Sequence, residues 1–349
     1  MAGRFFKQGE VAFGAVLAAL VVFCLSSCRP ADSQEPPPTH WTSEQAARLA
    51  HWAKTAPDDA LPLPDMRAFD AAQASKDDLA IDRAANALAL QLARQHLLGT
   101  VPMEQRAGWH IVDSDAAIDL QSRLADALKQ DGVDGFFAGL RPLHPDFAVL
   151  RSAYAGEADP EKRRTLALNI ERWRWLPQAL GRSFVLVNTA SFEATLWRDG
   201  HPLGVWPVVV GKVSTPSPVF AATITAVTFN PWWDIPPSIV REKHGNFPAR
   251  QGYVRTEHGW RQKPGLTNAL GQMKLVMPNP FNVYLHDTPS KSLFAASERA
   301  FSHGCIRVGD AIGFATALLG DTRSRETIDR LIASGNTTTI SLPEHLPVY

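Results

Sequence analysis

The sequence predicts an α+β protein, a helical first half followed by a β-rich second half. Apolar residues recur at helical spacing between about residues 43 and 176. From 182 onward they fall instead into short runs rich in Val, Phe and Thr, bounded by turn residues. At 349 residues and 45% apolar content, the chain is long enough for two domains, each with its own core.

The helical half, residues 43–181, has a recognisable start and stop at each long element. Ser75 followed by Asp78 reads as a capping-box-like beginning, with Asp where Glu or Gln is usual. Behind it Ile81, Ala85, Leu88 and Leu92 share one face, and Gly99 closes the helix. Ser114 opens another helix, with Ile118, Leu124 and Leu128 inward. Asp159-Pro160 is an N-cap followed by proline at the first helical position. Leu166, Ile170 and Trp173 line that helix, and Pro177 ends the region. The titratable residues of this half read as a solvated face with no chemistry.

The second half, residues 182–342, opens with SFVLVNT and FEATLWR. After the second run, Asp199-Gly200 marks a hairpin. LGVWPVVVG, ATITAVTFN, QMKLVM, NVYLH and TTTISL follow as further strands. Residues 231–270 show little periodicity, with scattered Pro, Gly and aromatics, and read as a lid.

The N-terminus is a targeting segment rather than part of the fold. Arg4 and Lys7 precede a nearly unbroken apolar run over residues 11–25, which is shorter than the roughly 20 residues a spanning helix needs. Leu25-Ser26-Ser27-Cys28 resembles the lipobox of bacterial lipoproteins, which makes residues 1–28 a lipoprotein-type signal segment whose Cys28 becomes the lipidated N-terminus. An ordinary signal peptide with an incidental Cys28 is the alternative. Arg29, where an inner-membrane retention Asp would stand, leans towards an outer-membrane anchor facing the periplasm. Residues 29–42, with three consecutive prolines, form the tether. Equal numbers of basic and acidic residues, 35 each, give no reason to expect a nucleic-acid partner. Of three cysteines, Cys24 leaves with the signal and Cys28 is acylated, so Cys305 remains without a disulfide partner.

The neighbours of Cys305 carry the chemistry. A nucleophilic thiol needs a base or charge partner, N–H groups for a developing oxyanion, and an open approach. Gly304 supplies the approach, and His286 at a strand end is the candidate base. His286, fifteen intervening residues, then Ser302-His303-Gly304-Cys305-Ile306-Arg307 resembles the YkuD-type L,D-transpeptidase signature. Asn230-Pro231-Trp232-Trp233, Asn268-Ala269-Leu270-Gly271 and Leu285-His286-Asp287-Thr288-Pro289 agree with it. So does Asn169-Ile170-Glu171-Arg172-Trp173-Arg174-Trp175, in the manner of the larger, scaffold-bearing branch. That branch usually carries a peptidoglycan-binding module before its Trp-rich helix, and the fifteen residues from Tyr154 to Asn169 are too few to hold one.

The resemblance implies a YkuD-like β-sandwich and a peptidoglycan transpeptidase that cross-links stem peptides. Cys305 would be the nucleophile that forms a thioester, with His286 its base and the Asp287 carbonyl orienting the ring. The N–H groups of Gly304 and Cys305 would form the oxyanion hole. Tyr284, Ser302, His303 and Arg307 would line the cleft, Arg307 by gripping a carboxylate. Trp232, Trp233, Tyr253 and Trp260 would belong to the acceptor side and the lid. His303 serves equally well as a packing residue, Arg307 as one half of an ion pair, and the tryptophans as core. A zinc site from His286, His303 and Cys305 is the rival use of the same residues, but His-x-Cys spacing suits tetrahedral ligation poorly, so no metal or cofactor is expected. The same chemistry would serve water, a D-amino acid or an envelope-protein lysine as acceptor. A non-catalytic, wall-tethering lipoprotein is the alternative outside enzymology.

Overall fold

Thr42 and Gln45 cap each other reciprocally and start helix α1 (Ser43–Thr55), near the beginning of a computed structural model that describes residues 40–349. The signal segment, Cys28 and nearly all of the tether lie outside the described residues. Helix α2 (Arg67–Ser75) ends where the sequence suggested a start: Ser75 is its last residue. The next helix, α3 (Asp78–Leu98), is capped by Asp77, whose carboxylate accepts from the Leu79 and Ala80 N–H groups. A carboxylate one residue before the helix reaches the orphan donors of the first turn, so the cap falls two residues later than expected. Ser114 likewise begins only a short 3₁₀ turn, and Asp119 caps α4 (Leu120–Lys129). Helices α5 (Val133–Ala138), α6 (Pro145–Gly156) and α7 (Pro160–Trp173) complete the helical half. The turn between α6 and α7 leaves no room for an inserted module.

Ala85, Leu88, Ala89 and Leu92 of α3 lock against Leu49 of α1 and Leu124 of α4 in one apolar core. Beside it sits a polar centre that corrects the expectation of a merely solvated charged face. Asp59, 2% exposed, takes bonds from Arg141 (2.7 and 2.9 Å) and from Arg151, while Arg174 reaches its backbone oxygen at 2.6 Å. Burial pushes the Asp59 carboxyl up, but Arg141 and Arg151 more than offset this and hold it below its usual range. His96, fully buried 3.6 Å from Asp59, is driven down to about 3 by burial and stays neutral. Asp59, through its carboxylate and its backbone oxygen, thus joins the chain between α1 and α2 to α6 and to the segments after α5 and α7.

The second half builds strands β1 (Phe184–Asn188), β2 (Glu193–Arg198), β3 (His201–Gly211) and β4 (Ala222–Phe229). The turn between β2 and β3 holds Asp199 and Gly200 at φ 53° and 85°, the geometry that matches strand twist in a two-residue hairpin. After the lid come β8 (Met273–Val276), β9 (Leu285–His286), β10 (Ala300–Ser302) and β11 (Ile306–Val308). Helices α9 (Ala311–Leu319) and α10 (Arg325–Ala333) precede the last strand, β12 (Thr338–Val348). That strand continues past residue 342, because Val348 pairs with Val185 and the Tyr349 carbonyl accepts from the Val187 N–H.

Strand order is β10-β3-β11-β9-β8-β4-β12-β1-β2, and β2 pairs back with β3. The first part of β3 lies on β2 and its end lies on β11 and β10, so one long strand serves both edges and the ladder closes. Helix α9 buries Ala311, Phe314, Ala315, Leu318 and Leu319, a stripe at i, i+3, i+4, i+7 and i+8, against this β core. The helical half docks through Trp109, which bridges to Val219, and through His144, which stacks on Trp173 and meets Trp197 edge-on at 4.7 Å.

The aperiodic stretch 231–270 is ordered. It contains β5 (Trp233–Asp234), helix α8 (Pro237–Glu242), β6 (Tyr253–Thr256) and β7 (Gly259–Gln262), and its strands form a separate sheet in the order β5-β7-β6.

Asp59→Asn should lower global stability by about 2–4 kcal/mol, since it leaves the half-buried Arg141 and Arg151 and the buried Arg174 without a counter-charge. Urea unfolding followed by tryptophan fluorescence checks this, and a loss under 1 kcal/mol would contradict the proposed role of the cluster.

Candidate active site

Three short strands place the candidate residues. β9 and β11 run parallel, with Leu285 opposite Ile306 and His286 opposite Arg307. β8 lies on the other side of β9, with Lys274 opposite His286. Side chains alternate across a pleated sheet. Leu275, Leu285 and Ile306 point into the core. Lys274, Tyr284, His286, Cys305 and Arg307 therefore share the opposite face. The Ile306 N–H donates to the Tyr284 carbonyl at 3.0 Å, which sets Cys305 level with Tyr284, one pleat from His286.

The loop before Cys305 is pinned from both sides. The buried Ser302 hydroxyl donates to the Cys305 carbonyl at 2.5 Å and accepts the Gly304 N–H at 3.1 Å. Ser217 donates to the Gly304 carbonyl at 2.6 Å, and the Lys212 N–H and Thr215 hydroxyl both reach the Ser302 carbonyl. Gly304 sits at φ 116°, a conformation only glycine adopts readily. The Gly304 N–H, read from sequence as an oxyanion donor, is thus already committed to Ser302. The Cys305 N–H makes no backbone bond among the described residues and is the donor left for that task.

His286 is buried, and its Nδ1–H donates to the Asp287 carbonyl. A carbonyl can only accept, so the neutral ring carries its proton on Nδ1 and leaves Nε2 free to take another. Burial pulls the imidazole down to about 3, and the Arg307 charge adds to this against the Asp287 carbonyl. Burial also pushes the Cys305 thiol up, opposed by the Tyr284 backbone N–H and by Lys274. The resting pair is a neutral thiol and a neutral imidazole. The thiol itself lies 3.8 Å from the Asn282 carbonyl.

Asp287 turns its carboxylate away from the thiol. It accepts the Gln272 N–H at 2.8 Å and pairs with Lys291. Gly271 faces this carboxylate: a Cβ there would stand 2.3 Å from Asp287 Oδ2, and its φ is 59°. Asn268 ties the same turn to the lid through the carbonyls of Pro231 and Lys263 at 3.0 and 2.9 Å. These contacts explain the Asn268–Gly271 block as a clamp behind His286.

The aromatic residues expected on the acceptor side and the lid lie in the lid. Trp233 is buried with Ile235, Phe247 and Leu270 in a core belonging to the lid, and Tyr253 and Trp260 pack on Phe247 at 5.0 and 5.1 Å. They build the lid, with Tyr253 and Trp260 partly exposed. Trp232 lies under the Arg261 guanidinium, 4.7 Å from its ring centre. His303 turns outward, 2.8 Å from Glu242 at the end of α8, so it fastens the loop to the lid. Tyr284 packs on the lid core and meets His286 at 5.6 Å between ring centres.

Sequence reasoning missed Lys274, Ser217 and Glu242. Lys274 left a faint signal as a cation flanked by the core residues Met273 and Leu275 in a short strand. Among the described residues no three His, Cys, Asp or Glu side chains converge as a metal site, and Cys305 is a free thiol.

Residues 182–327 match the profile of the L,D-transpeptidase catalytic domain, YkuD, and residues 37–153 match the scaffold domain. The chain thus carries a YkuD-type L,D-transpeptidase catalytic domain behind a scaffold domain. An inferred L,D-transpeptidase of Haemophilus influenzae is 30% identical over 214 residues, which cover 53% of this chain and 43% of that protein. The match thus spans less than half of the relative's length. An L,D-transpeptidase from Mycobacterium tuberculosis H37Rv overlaps 48% of this chain and 57% of its own, at 15% identity and a TM-score of 0.26. L,D-transpeptidase 3 from the same species overlaps 48% and 61%, at 16% identity and a TM-score of 0.28. These structural overlaps are too slight to carry the fold, which rests on the family match and the strand order.

Two outcomes follow from the geometry. Iodoacetamide should alkylate Cys305 with a midpoint above the ~8.5 of an ordinary thiol, because only the thiolate reacts and burial disfavours it. A plateau already reached below pH 8 would show an activated thiolate instead. Gly271→Ala should displace Asp287 and with it the His286 ring, lowering any Cys305-dependent activity at least ~10-fold through a misplaced base; unchanged activity would remove the clamp.

Proposed function

We propose that this chain is a peptidoglycan L,D-transpeptidase that joins stem peptides through a Cys305 thioester, with His286 as base. One observation supports this above the others. Within the family-matched domain, the free thiol and a buried imidazole with an available Nε2 share one face of adjacent parallel strands, one pleat apart.

In this reading the donor carbonyl preceding a D-residue lies over Cys305. His286 Nε2 takes the thiol proton as Sγ attacks, and the Cys305 N–H holds the oxyanion. Collapse of the tetrahedral species breaks the C–N bond, and the departing D-residue amine recovers the proton from His286. The thioester then meets an acceptor amine, which His286 deprotonates, and attack releases the thiol and leaves a new amide. A buried neutral imidazole suits this cycle, because it can take the proton at each stage without being charged at rest. We further propose that the mature chain is lipid-anchored through Cys28 on the periplasmic side of the outer membrane. The apolar run and Leu-Ser-Ser-Cys stretch at the N-terminus support this.

The test is mass analysis of muropeptides after incubating purified protein with sacculi. Wild type should generate new stem dimers together with released D-residue. Cys305→Ala should abolish both, and His286→Ala should reduce them at least ~10²-fold. Identical muropeptides from wild type and Cys305→Ala would remove the enzymatic reading, and hydrolysed or exchanged stems without dimers would redirect it to another acceptor.

A further inference from the structure

We propose that Lys274 and Arg307 form a two-cation site beside Cys305 that binds a carboxylate of the donor stem, with Lys274 as a specificity-determining residue. The part that concerns the donor rests on the transpeptidase reading above.

Lys274 on β8, His286 on β9 and Arg307 on β11 stand in one row across the sheet, each opposite the next in register. The row faces the thiol. Both cations are half-buried, where an uncompensated charge is expensive. Burial lowers the pKa of each, so neither environment favours the charge it holds. Among the described residues no carboxylate oxygen comes within 4.0 Å of either one. Asp234, the acid whose charge is felt at Lys274, is already taken by Arg261 at 2.5 Å. Asp287, which lies next in the chain to His286, is held by Lys291.

The Lys274 ammonium has one contact that positions it, the Tyr284 ring at 4.0 Å from its centre. The face of an aromatic ring attracts a cation and leaves its other donors free. Tyr284 in turn rests on the lid core, so the lid, through Tyr284, backs the ammonium. A structural lysine in a strand usually extends to solvent or pairs with an acid, and this one does neither. The geometry suits an anion that arrives with the substrate and supplies the missing counter-charge. A carboxylate is the anion a stem peptide offers. Since the imidazole between the two cations is neutral, it neither competes for the anion nor repels it.

Two measurements test this independently. The first uses Cys305 itself as a probe and needs no turnover. Iodoacetate and iodoacetamide alkylate a thiolate by the same displacement of iodide, and only iodoacetate carries a carboxylate. The ratio of their rates, divided by the same ratio for glutathione, should be about tenfold in wild type, given two nearby cations in a poorly screened site. Lys274→Met should reduce it at least about threefold, and Lys274→Arg should restore it. A wild-type ratio equal to that of glutathione, or an unchanged ratio in Lys274→Met, overturns the site.

The second measurement follows release of the leaving residue from stem peptides with a free or an amidated C-terminal carboxylate. With the free acid, Lys274→Met should raise KM about tenfold while kcat stays within about threefold, the pattern of lost ground-state binding. With the amide, Lys274→Met should leave KM within about threefold of wild type, and any fall in kcat from losing the charge that favours the thiolate should be the same for both peptides. Equal effects on KM for both peptides would overturn the specificity role. If wild type releases nothing from either, the transpeptidase reading fails, while the alkylation ratio still decides whether the carboxylate site exists.

Discussion

The site depends on a parallel pairing only two residues long. The Tyr284 carbonyl accepts the Ile306 N–H, and the register that follows puts Leu285 with Ile306 in the core and His286 with Arg307 outside. A slip of one residue would exchange the two faces, burying the charges and exposing the leucine. The core enforces the register, because Leu285, Ile306 and Val308 are almost entirely buried among Met273, Leu275 and Phe314. Apolar packing below the sheet thereby fixes chemical geometry above it.

Everything else around the thiol holds that pairing or covers it. The loop from Lys212 to Ser217 holds the carbonyls of Ser302 and Gly304 and stops the Cys305 loop from drifting. Its continuation at Val219 is where the helical half attaches, through the Trp109 bridge and the His110 N–H. The scaffold domain and the Cys305 loop therefore meet the same short segment. Behind His286, the Asn268–Gly271 turn joins the Asp287 carboxylate to the base of the lid. The lid carries its own core and reaches the site at two points, Tyr284 and the Glu242–His303 pair. Burial then tunes the groups: it keeps the imidazole neutral and raises the thiol, so the proton rests on sulfur.

Legibility in the sequence varied with the range of the forces involved. Strands bounded by turn residues and helices with a capping Asp were readable, because both depend on neighbours a few positions away. Asp199-Gly200 and Asp159-Pro160 stand where they were expected. Ser75 misled because Asp77, two residues on, is the better cap. The stretch 231–270 showed no period because its order comes from a small core assembled around Phe247, from residues scattered over nearly forty positions. Asp59, His96, Arg141, Arg151 and Arg174 looked like surface charges, since nothing local announces that they meet.

The sequence by itself determined which groups could react. A cysteine after a glycine, with a histidine at a defined distance before it, is a pattern of rare residue types, and such types are visible without coordinates. Only the tertiary structure decided how those groups are held and charged. It committed the Gly304 N–H to Ser302, sent His303 to the lid, packed Trp233 and Tyr253 around Phe247, and stood Lys274 across from His286. Register between strands and burial decide such matters, and both are set by contacts between residues far apart in the chain.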